Sequence, residues 1–296
     1  MQVPGLKYEG PVYRPPSEAS SLLIQATVGC PWNRCTFCMV YKKGPKFRIR
    51  PVEEIKMEIE ISAAFLGDRV RTLFFPSGNS IAIPTRELAE MCRFALETFP
   101  RLERITVYGS SRFIVKKGLE EMKELADAGL SRIHVGLESG DDVVLDRVRK
   151  GSTAAEQVEA GKMTMEAGIE LSEYVVLGLG GKGRTREHIA GTVNVLNQIN
   201  PDFIRLRTFL PKVKTPILKE IESGEFEVLS PHEVLYEVRA LIEGLDVASR
   251  VTSDHYTNYV GVGGQLPDER DKMLAVVDEA LVRPESSFRS LYVGTE

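Results

Sequence analysis

Between residue 22 and about residue 209, apolar runs of strand length alternate with stretches whose apolar positions recur at helical spacing. The expected strands are 22–28, 71–75, 104–108, 132–137, 170–177 and 203–209. The helices expected between them are 52–65, 85–98, 116–128, 141–150 with 154–167, and 186–198. Gly129, Gly168 and Pro201 stand where a helix must stop before the next strand begins. Six such units in succession predict a parallel sheet with helices on its outer side.

The strands carry a second pattern. In a parallel sheet covered on both faces, strands are nearly continuous in apolar residues. Here Ile133, Val135 and Leu137 alternate with Arg132, His134, Gly136 and Glu138. Likewise Ile105 and Val107 alternate with Thr106, Tyr108 and Ser110, Ile204 and Leu206 with Arg205 and Arg207, and Ile24 and Ala26 with Gln25 and Thr27. Apolar faces packed on helices and polar faces lining a lumen satisfy all four strands. For any one strand, a polar residue at an exposed sheet edge is the competing reading. The expected fold is therefore α/β, a partial (β/α)6 TIM-like open barrel over residues 22–210. Residues 1–21, rich in Pro and polar residues, form an N-terminal arm. Beyond Phe209 the pattern is broken by Pro211, Pro216 and Pro231; helices are expected at 231–244 and 268–282, with 251–267 irregular. Residues 211–296 are read as a C-terminal extension capping the barrel mouth.

Composition narrows the classes. With 43% hydrophobic and 27% charged residues among 296, the chain can build an ordinary core. A net charge of -4 with no long basic run argues against nucleic acid as a primary partner, while leaving room for a local basic groove. No apolar run approaches the roughly 20 residues that span a bilayer. Residues 1–21 lack the apolar stretch of a signal peptide, so a cytoplasmic location is expected.

Three of the four cysteines, Cys30, Cys35 and Cys38, fall within nine residues directly after the first strand; Cys92 stands alone. A disulfide framework would spread them over a small secreted domain, so thiols this close point to a metal. Three thiolates on one loop can reach three irons of a cubane, leaving the fourth iron for a small-molecule ligand. A structural zinc site calls for a fourth Cys or His nearby, and the nearest His is His134. Two other readings stand beside the cluster enzyme. A zinc protein would show zinc and no cluster absorbance, and a cluster-bearing electron carrier would have little use for a polar lumen.

The run Cys30-Pro31-Trp32-Asn33-Arg34-Cys35-Thr36-Phe37-Cys38 resembles the radical S-adenosylmethionine (SAM) superfamily. Its usual signature is CxxxCxxC; the extra residue here falls in the 31–34 turn and points to a subgroup with CxxxxCxxC. Tyr41-Lys42-Lys43 and Phe47-Arg48-Ile49-Arg50-Pro51 are similar to that same subgroup. The resemblance, which covers about residues 20–215, places Phe37 near the adenine. It puts Pro76-Ser77-Gly78-Asn79 where the family's glycine-rich segment contacts the methionine amino group. Val135-Gly136-Leu137-Glu138-Ser139-Gly140 resembles a GxESG stretch, which implies that Glu138 contacts SAM at its ribose or amino end. Ser110, on the polar face at the end of the third strand, is counted with these contacts. Leu177-Gly178-Leu179-Gly180-Gly181 resembles a GLPG-like turn that passes the adenine.

The resemblance implies a 4Fe–4S cluster held by Cys30, Cys35 and Cys38, with SAM on its open iron. An external one-electron donor such as flavodoxin or ferredoxin would reduce it. Reductive cleavage would give methionine and a 5′-deoxyadenosyl radical that abstracts hydrogen from a substrate, in an oxidoreductase or lyase type of reaction. Arg205 and Arg207 share a face, which suits an anionic small-molecule substrate, the SAM carboxylate, or pairing with Glu138, Glu170 or another acid of the lumen. His255, with Asp254, Tyr256 and Asn258, either exchanges a proton near the substrate or sits in a surface loop. His188 and His232 are expected to be solvated, and Cys92, beside Met91 and Phe94, to be core. The cysteines are too few for a second cluster, which disfavours sulfur insertion, and no cobalamin-binding domain is expected before Leu22. Hydrogen abstraction leading to rearrangement, decarboxylation, oxidation or addition remains.

Overall fold

The computed structural model describes residues 3–294 except 11 and 43, so the last residue of the 41–43 run lies outside the described residues. The strands are β1 Leu22–Leu23, β2 Thr27–Val28, β3 Arg48–Ile49, β4 Thr72–Phe75, β5 Arg104–Gly109, β6 Leu130–Glu138, β7 Glu170–Leu177, β8 Phe203–Thr208, β9 Arg250–Thr252 and β10 Gly263–Gln265. The helices are α1 Val52–Leu66, α2 Thr85–Thr98, α3 Ser111–Asp127, α4 Asp142–Arg147, α5 Ala154–Glu166, α6 Thr185–Ile199, α7 Ile217–Ser223, α8 Pro231–Gly244 and α9 Arg270–Leu281. The main sheet has the order β1-β4-β5-β6-β7-β8-β9-β10 and does not close. Its pairs β1–β4, β4–β5, β5–β6, β7–β8 and β8–β9 are parallel, and β10 runs antiparallel to β9. Among the described residues no helix is long and apolar enough to cross a membrane.

The sequence and the structure differ in several places. The expected strand 22–28 divides: Ile24 still bonds to Phe74 of β4, but then Arg50 takes over the chain. Its guanidinium donates to the Gln25 carbonyl at 2.9 Å and is itself anchored on Glu58 of α1 at 2.7 Å. The backbone leaves the sheet here, and β2 pairs with β3. The region 251–267, read as irregular, overlaps β9 and supplies β10, so the sheet has two strands beyond the six expected. Helix α3 begins at Ser111 rather than 116 and crosses a non-helical Gly118. Helix α4 stops at Arg147, and its N-terminus is capped by Asp141, whose side chain accepts the Val143 amide.

Two compact units make up the chain. The first comprises Met1–Asn33, Lys43–Val135 and Lys162–Leu171. Here α1, α2 and α3 bury Ile55, Ile59, Leu88, Met91, Cys92 and Ile114, and the strands bury Leu73, Ile105, Val107, Ile133 and Val135. On the polar side, the rings of Phe74, Tyr108 and His134 cluster, Phe74 meeting Tyr108 edge-on at 4.9 Å. This side is filled from the N-terminal arm. Glu18, in the 3-10 turn Pro16–Glu18, is fully buried. Its carboxylate accepts hydrogen bonds from Ser21 at 2.5 Å, Arg104 at 3.2 Å, Thr106 at 3.3 Å and His134 at 3.3 Å. Burial alone would raise its pKa, but the bonds from His134 and Ser21 and the Arg104 guanidinium bring it down to about 2.

The second unit comprises Arg34–Lys42, Gly136–Gly161 and Ser172–Glu296. Val144, Val148, Val176, Leu179, Phe209, Ile217 and Phe226 form one buried cluster in it. Burying each of these side chains contributes on the order of 1.5–3 kcal/mol. Helix α8 opens with a full capping box between Ser230 and Glu233. Backbone meets backbone at Gly140 and Gly191: a Cβ on Gly140 would lie 2.2 Å from the Gly191 carbonyl oxygen. His188, expected to be solvated, is buried in α6 with Nδ1 2.8 Å from the Ser139 hydroxyl. Burial lowers its pKa to about 4, so the ring is neutral near pH 7. His232 is half-buried, with Nε2 2.9 Å from the Arg283 carbonyl oxygen.

Candidate cluster and cofactor site

The cysteine loop accommodates its extra residue through backbone conformation. Asn33 takes a left-handed φ of 45°, which Asn tolerates better than most residues. That turn aims the Asn33 amide at the Cys30 sulfur, 3.4 Å away. Trp32 lies under the guanidinium of Arg112, 4.6 Å from the ring centroid. Gly78 packs directly on Cys30, and its amide donates to the Gly29 carbonyl at 3.1 Å. Ser77, buried at φ 91°, receives a hydrogen bond from Gln25 at 3.2 Å. Asn79 and Ser110, both expected at the SAM site, meet directly, the Asn79 amide donating to the Ser110 hydroxyl at 2.8 Å. The other Asn79 atom, Oδ1, is buried and has no hydrogen-bond partner among the described residues. Such an acceptor suits an ammonium group brought by a ligand.

In the second unit, backbone bonds hold the 35–38 segment. The Thr36 amide bonds to Val148 at 2.9 Å, and the Thr36 carbonyl accepts from Ile217 at 3.2 Å. Phe37 packs against the core around Phe209 and Phe226. Glu138 ends β6 at φ 65°, outside strand geometry, and forms an ion pair of 3.0 Å with Lys150. Gly136 makes room for this pair: a Cβ there would stand 2.2 Å from the Glu138 carboxylate and 2.8 Å from the Lys150 nitrogen. Burial lowers the Lys150 pKa, but Glu138, Cys35 and Glu173 outweigh it and hold the ammonium charged. Glu173 is driven the other way. Burial and the Glu138 charge raise its pKa well above the ordinary range despite Lys150. Lys150 and Glu173 were not anticipated from the sequence; Gly136 two residues before Glu138 was the one local sign that a long side chain crosses there.

All four cysteines are outside disulfides. Cys30, Cys35 and Cys38 are half-exposed, whereas burial pushes the Cys92 thiol up to about 12 and keeps it protonated. Thiols of this kind are the donor type that an iron–sulfur cluster takes. Among the described residues, no group of three or more His, Cys, Asp or Glu side chains is arranged to hold a metal ion, so the ligand set rests on the motif and the thiol chemistry.

The substrate-facing candidates separate. Arg205 is buried and donates to the hydroxyls of Ser172 at 2.9 Å and Thr252 at 3.3 Å. The acids considered as its partners are engaged elsewhere, Glu138 with Lys150 and Glu170 with Arg132 at 2.8 Å. Arg207 and His255 come close enough to interact: burial first, then the charges of Arg207 and Lys212, lower the His255 pKa to about 4. Its Nδ1 lies 2.7 Å from the Thr257 hydroxyl and accepts the Thr257 amide at 3.3 Å, which leaves the proton on Nε2. Lys212 donates to Tyr256 at 3.0 Å. The loop is not a loose surface segment, because Asn258 bonds to Leu206 and Thr208 of β8 at 2.8 and 3.1 Å. A cleft of about 240 Å³ opens there, lined by Ser253, His255, Asn258 and Tyr259. Leu177 accepts the Phe209 amide, and Gly178 is held at φ 80°.

A family model described as the radical SAM superfamily matches residues 24–196. The chain is 26% identical over 196 residues to an anaerobic magnesium-protoporphyrin IX monomethyl ester cyclase of Cereibacter sphaeroides, covering 65% of this chain and 31% of that protein. It is 24% identical over 281 residues to a tRNA-2-methylthio-N(6)-dimethylallyladenosine synthase of Haemophilus influenzae, covering 83% of this chain and 58% of that protein. The chain thus spans less than two thirds of the length of these relatives. The solved structure of methylornithine synthase (PylB) has the same fold, with a TM-score of 0.53 at 17% identity over 90% of this chain and 84% of that one.

Proposed function

The chain belongs to the radical SAM superfamily, whose enzymes use a 4Fe–4S cluster and SAM, and on that premise we propose that Cys30, Cys35 and Cys38 hold the cluster and that an anionic small molecule is the hydrogen donor. The observation that carries the ligand set is the contrast among the thiols. Three sit half-exposed on one loop, and the fourth is buried and protonated. Bound together, the cluster and SAM supply a one-electron cleavage to methionine and a 5′-deoxyadenosyl radical. This chain's residues do the rest. The Lys150 ammonium offsets thiolate charge beside Cys35 and aims the Glu138 carboxylate, while Asn79 Oδ1 offers an acceptor to the amino group of SAM. Phe37, Ser77, Gly78, Ser110, Leu177 and Gly178 complete the proposed SAM contacts. An external one-electron carrier, of flavodoxin or ferredoxin type, would supply the electron. Reduced thiols suit a reducing compartment such as the cytoplasm.

For the substrate, the proximity of Arg207 and Lys212 to the neutral His255 supports an anion. The cations would bind its charge, and the His255 Nε2–H would donate a hydrogen bond. Residues 22–210 would then carry the radical chemistry and 211–296 much of the substrate contact, with the 1–21 arm filling the polar side of the sheet. Cys92 is the only thiol outside the motif, so within these residues an oxidoreductase or lyase type of reaction is favoured over sulfur insertion. The relative named for tRNA modification favours a second reading, an RNA substrate, which the net charge of -4 does not settle.

Anaerobic reconstitution followed by reduction tests both levels. Binding of four irons and four sulfides, with 5′-deoxyadenosine formed from SAM, is the expected result. Failure of either would remove the enzymatic reading. Stimulation of that reaction by small carboxylates or phosphates, and not by RNA, supports the anionic substrate; the reverse would establish the RNA reading.

A further inference from the structure

Gly178, in the turn assigned above to SAM, directs its amide away from the strand ladder. The amide donates to the Glu237 carboxylate at 2.6 Å. The other oxygen of that carboxylate accepts the Thr185 hydroxyl at 2.5 Å, at the first residue of α6. Glu237 belongs to α8, far along the chain in the C-terminal extension, and its exposure is only 3%. One buried carboxylate thus ties α8 to both ends of the turn between β7 and α6. Burying such a group is unfavourable unless its oxygens are used, and here both are.

We propose that Glu237 is a positioning residue for SAM: its carboxylate holds the Gly178 turn in the shape that meets the adenine. This rests on the reading that the turn contacts SAM. The two oxygens differ in what protonation does to them. The Thr185 hydroxyl can reverse and accept from a protonated acid. The Gly178 amide can only donate, so its bond falls from charge-assisted to neutral, losing roughly half its strength. Burial pushes the pKa of Glu237 up to about 7, against the bonds from Thr185 and Gly178 and with help from Glu233 on the same helix. Glu233 is itself paired with Lys182 at 3.4 Å, and His188 of α6, with its pKa near 4, stays neutral over this range. The turn should therefore be held more firmly above pH 7 than below it.

Two readouts on the reconstituted protein test this between pH 6 and 8. One is the protection of the Gly178 amide against hydrogen exchange, corrected for the intrinsic rate; the other is the dissociation constant for SAM. In the unsubstituted protein, protection and affinity should both rise with pH through about 7. Glu237→Gln should flatten both profiles and weaken SAM binding about tenfold at pH 8, the low end of what a charge-assisted hydrogen bond carries. Thr185→Val removes a bond that lowers the Glu237 pKa, so it should shift both midpoints upward while leaving the Gly178 bond in place. Should Glu237→Gln fail to fold, the Thr185→Val shift decides the matter. Protection at Gly178 that ignores both pH and the substitutions would overturn the strap itself. Protection that responds while SAM affinity does not would show instead that the turn never meets SAM.

Discussion

Gly78 meets Cys30 with no space between them: a Cβ added at Gly78 would lie 2.6 Å from the Cβ of Cys30 and 2.9 Å from the Gly29 carbonyl oxygen. Neither neighbour is a flexible side-chain tip, so backbone must move. Gly78→Ala should therefore displace Cys30 and lower the iron bound per chain after reconstitution. Gly183→Ala, at a site with nothing within 4 Å, serves as the control and should bind iron normally. Equal iron in the two variants would disprove the displacement.

The thiols separate by environment. Single Ala substitutions of Cys30, Cys35 and Cys38 should each abolish the brown charge-transfer band. Cys92→Ala should keep it, at a stability loss of about 1 kcal/mol for the small cavity left in the core. Loss of the band in the Cys92 variant would show that the ligand set is wrong.

Glu18 gives a pH dependence with a definite sign. Its folded pKa of about 2 lies below the ordinary 4.5, so the folded state holds the ionised form. The resulting stabilisation, roughly 3 kcal/mol, is present above pH 4.5 and disappears as pH falls toward 2. Urea unfolding should find Glu18→Gln less stable by a comparable amount at pH 7. The gap to the unsubstituted protein should narrow steadily between pH 4.5 and 3. A gap that stays constant would mean that the carboxylate charge is not what His134 and Arg104 hold.

Glu138 and Arg207 should divide SAM binding from substrate binding. Glu138→Gln takes the charge from the partner of Lys150 and should weaken SAM binding by about 1.5–3 kcal/mol, slowing substrate-free cleavage as well. Arg207→Ala should spare that cleavage and impair turnover of the substrate. Equal loss of substrate-free cleavage in both variants would place Arg207 on the SAM carboxylate.

The elements that could be read from sequence are those whose cause is local. Strands β5, β6 and β8 carry alternating apolar and polar residues, and the structure has all three. The separation of β2 from β1 could not be read, because the Gln25 carbonyl between them is satisfied by Arg50, more than twenty residues away. Strands β9 and β10 are three residues each and rich in Gly and Thr, which leaves no period to detect. The same rule holds at the site. The cysteine motif is contiguous and stands out; Lys150 and Glu173 gain their meaning only when folding brings them beside Glu138. Glu18 in a Pro-rich arm and His188 on a helix look like solvated polar residues, since such side chains are usually exposed. Each is buried because a distant partner, His134 for one and Ser139 for the other, satisfies it.

The contact between Gly140 and Gly191 restricts the paths open to this chain by mutation. A Cβ on either residue would reach the other's carbonyl oxygen, at 2.2 Å from Gly140 and 2.6 Å from Gly191. Crowded packing is commonly relieved by a second change that shrinks the neighbour. Here the neighbour is already glycine and the obstruction is main chain, so no compensating replacement exists at the partner position. Drift at one residue can be tolerated only if α6 shifts bodily away from the Ser139–Gly140 turn, which would pull His188 from Ser139 and disturb the acid end of β6 where Glu138 stands.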